Sequence, residues 1–203
     1  MLPFARPAVF HLTSSTPSPV TYDQDISPKH SLYVHSIDGQ DREWVVQASV
    51  SKISIYDSKN LTLRLPGRIV TSTIDVWQSS NIKLVLEAPS RLGTLQLDPT
   101  LDNVRVEFVH SSSIGKVVVA PAKDDRRGDF GLRSVSFRAR DADLDFVLAD
   151  DAGNLHDPRH DEGAIVDARD PTQGALSQWV LSWDNDGWKL EGLQRGASHY
   201  PIL

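Results

Sequence analysis

The sequence predicts an all-β fold: a right-handed parallel β-helix, a solenoid of about 20–22 residues per rung, closed by a C-terminal hairpin. Three observations predict it. From residue 31 onward, short runs alternate apolar and polar residues with the period of a half-buried strand. An asparagine recurs at one slot of a repeated pattern. Between the strand-like runs, no segment has the period or the length of a helix.

Residues 1–30 come first. They carry five of the twelve prolines among Ser and Thr and lack periodic apolar residues. They are expected to form a mobile tail ahead of a domain spanning residues 31–203. The start of the chain makes a poor signal peptide, since Arg6 and His11 interrupt its apolar residues and Pro3 and Pro7 break it further.

The repeat follows. Ile53–Leu65 (ISIYDSKNLTLRL) lies slot for slot over Ile74–Leu86 (IDVWQSSNIKLVL): apolar-x-apolar, an aromatic, a polar turn, Asn, then three alternating apolar residues. Leu95–Phe108 (LQLDPTLDNVRVEF) is a third copy with one extra turn residue, and Val135–Leu148 (VSFRARDADLDFVL) reads as a fourth with Asp143 in the Asn slot. The slots are spaced 21, 22 and 40 residues apart, the last close to two periods. One copy holds too few apolar residues for a core, so copies must stack. The inward positions are then Leu61, Leu63 and Leu65; Ile82, Leu84 and Leu86; Val104, Val106 and Phe108; and Leu144, Phe146 and Leu148. The column Asn60, Asn81, Asn103 and Asp143 belongs at turns, where Asn and Asp tolerate a left-handed backbone, and is structural. A leucine-rich repeat has a similar period, but there the Asn follows the strand.

Two charged loops interrupt the coil, at residues 121–133 and 149–174. The strong turn signal at Asp184–Gly187 between two apolar runs predicts the closing hairpin. Trp179 and Trp183, four apart, also suit one face of a short helix.

Charge and composition exclude several classes of function. The net charge is −6, from 27 acidic and 21 basic residues. Residues 124–170 hold thirteen acids and seven arginines, so the remainder is neutral. An acidic chain without a basic block is a poor match for nucleic acid. With no cysteine, disulfides and thiolate catalysis are excluded. No apolar run is long enough to cross a membrane as a helix. Neither a Gly-x-Ser-x-Gly nucleophile motif nor a phosphate-binding loop is present. No cofactor and no metal are expected, and the expected location is cytoplasmic.

The candidate binding residues are Lys83 and Arg105, which share one outward slot of successive rungs, extended by Arg64 and Arg68. This small basic strip suits an acidic partner surface. Trp179, Trp183 and Trp188, with Leu190 and Leu193, allow three roles: a cap over the open coil, a homodimer interface, or an aromatic pocket for a small apolar ligand. In that last reading the chain is a cofactor-free cyclase or isomerase, with His156, Asp157, His160 and Arg105 as acid–base candidates. The His156–His160 spacing suits a metal only on a helix, which Pro158 discourages. His35 and His110 are expected as packed or edge residues.

The residues Glu43–Val46 (EWVV), Leu61–Ile69 (LTLRLPGRI), Ile74–Val76 and Leu84–Leu86, with Val135–Leu148 and Trp188–Leu193 (WKLEGL), carry a resemblance. The chain resembles the C-terminal β-helical domain of adenylyl cyclase-associated proteins and, more distantly, the tubulin-binding cofactor C domain. The first resemblance implies binding of ADP-loaded monomeric actin through the outer sheet faces, promotion of nucleotide exchange, and dimerisation through the C-terminal hairpin. The second implies a GTPase-activating arginine finger in a Gln-x-Arg-x-His strand. Arg105 holds the Arg slot, while Asn103 and Glu107 replace the Gln and the His.

Overall fold

The computed structural model describes residues 8–21, 26, 28–98, 100–119, 132–156, 165–166, 178–184 and 187–193. Two sheets face each other across the core, and each turn of the chain gives one strand to each sheet. The first sheet contains β1 (Val9–Leu12), β2 (Ser31–His35), β4 (Lys52–Tyr56), β6 (Thr73–Trp77), β8 (Thr94–Leu97) and β10 (Lys116–Val119). The second contains β3 (Asp38–Val45), β5 (Lys59–Leu65), β7 (Ser80–Leu86), β9 (Asp102–Phe108) and β11 (Arg133–Ala139). All these pairings are parallel and join residues one rung apart. The result is a parallel β-solenoid of about five turns.

Its C-terminal strands run antiparallel. On the second sheet β12 (Leu144–Ala149), β13 (Leu155–His156) and β14 (Ile165–Val166) return in sequence. On the first, β15 (Gln178–Asp184) pairs with β10 and turns into β16 (Gly187–Leu193), which is the predicted hairpin. The chain around Trp179 and Trp183 is therefore a strand, not a short helix. Residues four apart also share one face of a strand.

Alternation decides which side chains enter the core. Leu61, Leu63, Leu65, Ile82, Leu84, Leu86, Val104, Val106 and Phe108 are all buried, as expected. Burying each such side chain is worth about 1.5–3 kcal/mol. The turns need a left-handed residue on every rung, and Asn60, Asn81 and Asn103 supply it at φ 55°, 52° and 51°. Gly67 and Gly115 sit where neighbouring rungs touch at the corners. A Cβ there would fall 2.2 Å from the Ala48 carbonyl oxygen and 1.5 Å from that of Leu92.

Two expectations need correction. The fourth copy is not a rung. Val135–Ala139 belongs to the second sheet, paired with β9, and the chain then doubles back as β12. The residue in the Asn column is Ser134, at φ 50°. Asp143 lies in the β11–β12 hairpin turn, and Leu144 is 44% exposed instead of inward. An alternating run that folds back carries the same pattern as one that coils onward, so the pattern alone does not separate them. The described part of residues 1–30 also joins the coil. Val9–Leu12 pair with β2, and Leu12, Val20 and Ile26 are buried against the first turn. Arg42 and the Trp44 indole hold this segment by donating to the Ser14 and Thr16 carbonyls.

Candidate functional site

The outer face of the second sheet carries the charged residues picked out from the sequence. Parallel register stacks Thr62, Lys83 and Arg105 in one file, and Arg64, Val85, Glu107 and Arg138 in the next. Asp145 does not continue the first file; Ser136 does, and Asp145 faces Arg138.

Glu107 organises this face. Its side chain is 5% exposed although it points away from the core, because the stems of its neighbours close over it. Lys83 Nζ lies 3.0 Å from its Oε1, and Arg105 Nε donates to the same oxygen at 2.9 Å. Arg140 donates to Oε2 through Nε at 3.1 Å and through Nη2. Burial alone would raise the carboxyl's pKa. The hydrogen bonds and charges of Arg140 and Lys83 outweigh it and hold the group at about 2.

Beside this cluster, Arg64 bridges Glu87 (Nε at 2.9 Å) and Glu43 (Nη1 at 3.4 Å), and its own pKa is raised, chiefly by the bond to Glu87. Arg138 pairs with Asp143 and Asp145 at 3.1 and 3.5 Å. Arg68 lies apart from the strand face, exposed at the corner after β5. Arg64, Lys83 and Arg105 thus lie on one outer face in two adjacent files, each tied to carboxylates of its own chain. Lys83, Arg105 and Arg140 still show 41–46% of their side chains to solvent. Sequence reading missed Glu107, Arg138 and Arg140. Glu107 could have been found from the Lys83–Arg105 period, which puts it on the same outward face.

The acid–base candidates are not gathered. Arg105 is on β9 and His156 on β13, with β11 and β12 between them. His156 Nε2 lies 3.2 Å from Asp150 Oδ2. Asp150 also accepts from Asn154 and from the Ala152 amide, and these bonds, led by the Asn154 side chain, hold it at about 2. Asp157 and His160 lie outside the described residues. No group of three or more His, Asp or Glu among the described residues is placed to hold a metal. One cleft among them, lined by Leu65, Ile69, Leu86, Arg91 and Leu92, measures about 20 Å³, room for a single water.

Trp188 packs into the hydrophobic core at the C-terminal end of the coil. It is 8% exposed and packs on Phe108, Phe137 and Phe146 with ring centroids 5.7–6.4 Å apart. Trp183 meets it edge-on at 5.0 Å. Trp179 and Trp183 are partly buried against the core, and Leu190 is fully buried. Leu193 ends β16, and its side chain lies outside the described residues. His35 is exposed and His110 half-buried.

Comparison with protein-family models, with curated proteins and with solved structures finds no match for this chain.

Proposed function

We propose that this chain is a protein-interaction module that presents the outer face of its second sheet to an acidic surface, with ADP-loaded monomeric actin as the partner its sequence resemblance singles out. One observation carries this reading. Lys83, Arg105 and Arg140 are fixed around a buried Glu107 while nearly half of each side chain remains open to solvent. Glu107 is hidden while these three cations are shown, with the exposed Asp145 3.8 Å from Arg105. Their geometry is set before any partner arrives, which lowers the ordering cost of binding, and a guanidinium keeps several N–H donors beyond those it gives to Glu107.

The test is calorimetric titration of the full chain into ADP-actin. The reading expects a micromolar or tighter complex. It also expects Arg105→Gln to weaken that complex about tenfold or more, the loss of one charge-assisted contact. Thermal melts confirm that the variant is folded. No binding at high protein concentration overturns the reading.

A second reading rests on Trp188. Its indole Nε1 is buried and has no hydrogen-bond partner among the described residues. A donor left in this state invites an acceptor. A small, mostly apolar ligand with one carbonyl or hydroxyl oxygen at the capped end of the coil would supply it. Such a ligand would shift the indole N–H resonance of Trp188 in a proton–nitrogen spectrum. Screening that leaves this resonance unmoved removes the reading.

A further inference from the structure

The outer face of the first sheet carries a different surface, a file of aromatic rings running along the coil. His11 meets Tyr33 edge-on at 5.6 Å, and Tyr33 stacks on His35 at 5.5 Å and 13°. His35 stacks on Tyr56 at 5.1 Å and 21°, and Tyr56 lies against Trp77 at 5.5 Å. The rings fill two slots two residues apart on β2, His11 and Tyr33 in one and His35, Tyr56 and Trp77 in the other; within a slot the rung spacing of about 4.8 Å makes neighbouring rings touch. The file ends at Trp77. The following rung brings Asp98 to that slot, its amide bonded to the Val76 carbonyl at 3.0 Å. One face of Trp77 is therefore covered by Tyr56, and the other looks toward a carboxylate-bearing rung.

Carboxylates edge the file. Asp75 lies two residues before Trp77 on the same outer face, and Asp57 follows Tyr56 directly. Lys52 pairs with Asp75. Asp57 accepts from the Ser36 hydroxyl at 2.7 Å, and Asp98 accepts from the Thr100 amide at 3.0 Å. These neutral donors orient the two carboxylates and leave their charge in place. Neither Asp57 nor Asp98 has an ion pair among the described residues. Half-exposed aromatic rings beside uncompensated carboxylates suit one chemistry above others. A guanidinium stacks on an indole or phenol face and pairs with a neighbouring carboxylate through a planar fork of donors. A sugar chain would need several open ring faces in a row, whereas the ring contacts leave one face of Trp77, enough for a single guanidinium. A nucleic acid would be repelled by the carboxylates.

We infer that the outer face of the first sheet, from Tyr33 to Asp98, docks an arginine-rich segment of a partner protein, with Trp77 and Asp98 receiving one guanidinium. This surface is separate from the outer face of the second sheet, where Lys83, Arg105 and Arg140 surround Glu107.

Fluorescence anisotropy of a labelled oligo-arginine peptide, titrated with the full chain at physiological salt, tests the inference. Oligo-lysine and oligo-glutamate of the same length are the comparison peptides. Oligo-arginine is expected to bind about fivefold or more tighter than oligo-lysine, and oligo-glutamate not at all. Trp77→Leu is expected to weaken oligo-arginine about fivefold or more, and Asp98→Asn to weaken it measurably. Asp102→Asn, an exposed acid on the second sheet, removes the same charge elsewhere and is expected to leave binding unchanged. Asp98→Asn, which changes no ring, keeps the test valid if Trp77→Leu fails to fold. Three results overturn the inference: no binding of oligo-arginine, equal loss in Asp98→Asn and Asp102→Asn, or full affinity retained in folded Trp77→Leu. Concentration-dependent self-association that blocks the peptide overturns it too, since the occupant is then a second copy of this chain.

Discussion

The Lys83 ammonium rests 3.0 Å from the carboxylate of Glu107, one rung away and almost lost to solvent. This contact ties adjacent turns of the coil together from outside the core, and Arg140, just after β11, adds a second tie, while Arg105 bonds Glu107 within one strand. Replacing Glu107 by Ala removes all of these bonds at once. The cations left behind are half-exposed and regain water, so the loss stays below that of a fully buried pair. The expected destabilisation is about 2 kcal/mol, and about 1 kcal/mol for Glu107→Gln, which keeps one acceptor oxygen. Urea unfolding followed by circular dichroism measures both. Equal stability of Glu107→Ala and wild type would show that the cluster adds nothing to the fold.

The same carboxylate predicts an acid response. Its pKa in the fold is about 2, below its ordinary value. A group depressed in this way stabilises the fold at every pH above its unfolded value and loses that contribution as pH falls through the folded one. The unfolded value is about 4.3. The gap in melting temperature between wild type and Glu107→Gln is therefore expected to be constant at neutral pH and to close between about pH 5 and 2. A gap that widens on acidification would reverse the assignment.

The repeat was legible because stacking forces a slot to keep its chemistry. Leu61, Leu63 and Leu65 predict Ile82, Leu84 and Leu86 because the same core volume lies beneath both. The aromatic slot was visible in Tyr56 and Trp77, but its extension to His35, and the second slot two residues earlier that holds His11 and Tyr33, needed the register between rungs. Strand direction was not legible at Val135–Leu148, where alternation and a left-handed Asp143 serve a hairpin as well as a rung. Pro-rich spacing hid β1, since four residues paired along one edge show little periodicity. The burial of Glu107 was hidden for a different reason: it depends on the reach of three long side chains from neighbouring positions, which no local pattern encodes.

The asparagine column offers a test that separates two causes. Asn81 Nδ2 donates to Asn60 Oδ1 at 2.8 Å, and Asn103 donates to Asn81 at 2.7 Å. Each asparagine also holds a left-handed backbone. Asn81→Gly keeps the conformation and loses the amide ladder, at an expected cost of about 1 kcal/mol. Asn81→Ala loses the ladder and adds backbone strain of about 1–2 kcal/mol. Denaturant midpoints are expected to fall in the order wild type, Asn81→Gly, Asn81→Ala. If Ala were tolerated better than Gly, the left-handed backbone would not be the constraint.

The capped end of the coil gives the largest expected effect. Trp188 fills the space over Phe108, Phe137 and Phe146, where the last rung would otherwise face water. Trp188→Ala leaves a cavity or opens the end, and a loss of about 3–5 kcal/mol is expected. Trp188→Phe keeps a ring on the same neighbours and also removes the buried indole N–H, which has no partner among the described residues. Its expected cost is at most about 2 kcal/mol, because relief of the unsatisfied donor offsets part of the lost volume. Scanning calorimetry of the two variants decides the matter. A Trp188→Phe loss as large as that of Trp188→Ala would mean that the indole nitrogen is bonded in solution, and that the end of the coil holds a polar partner.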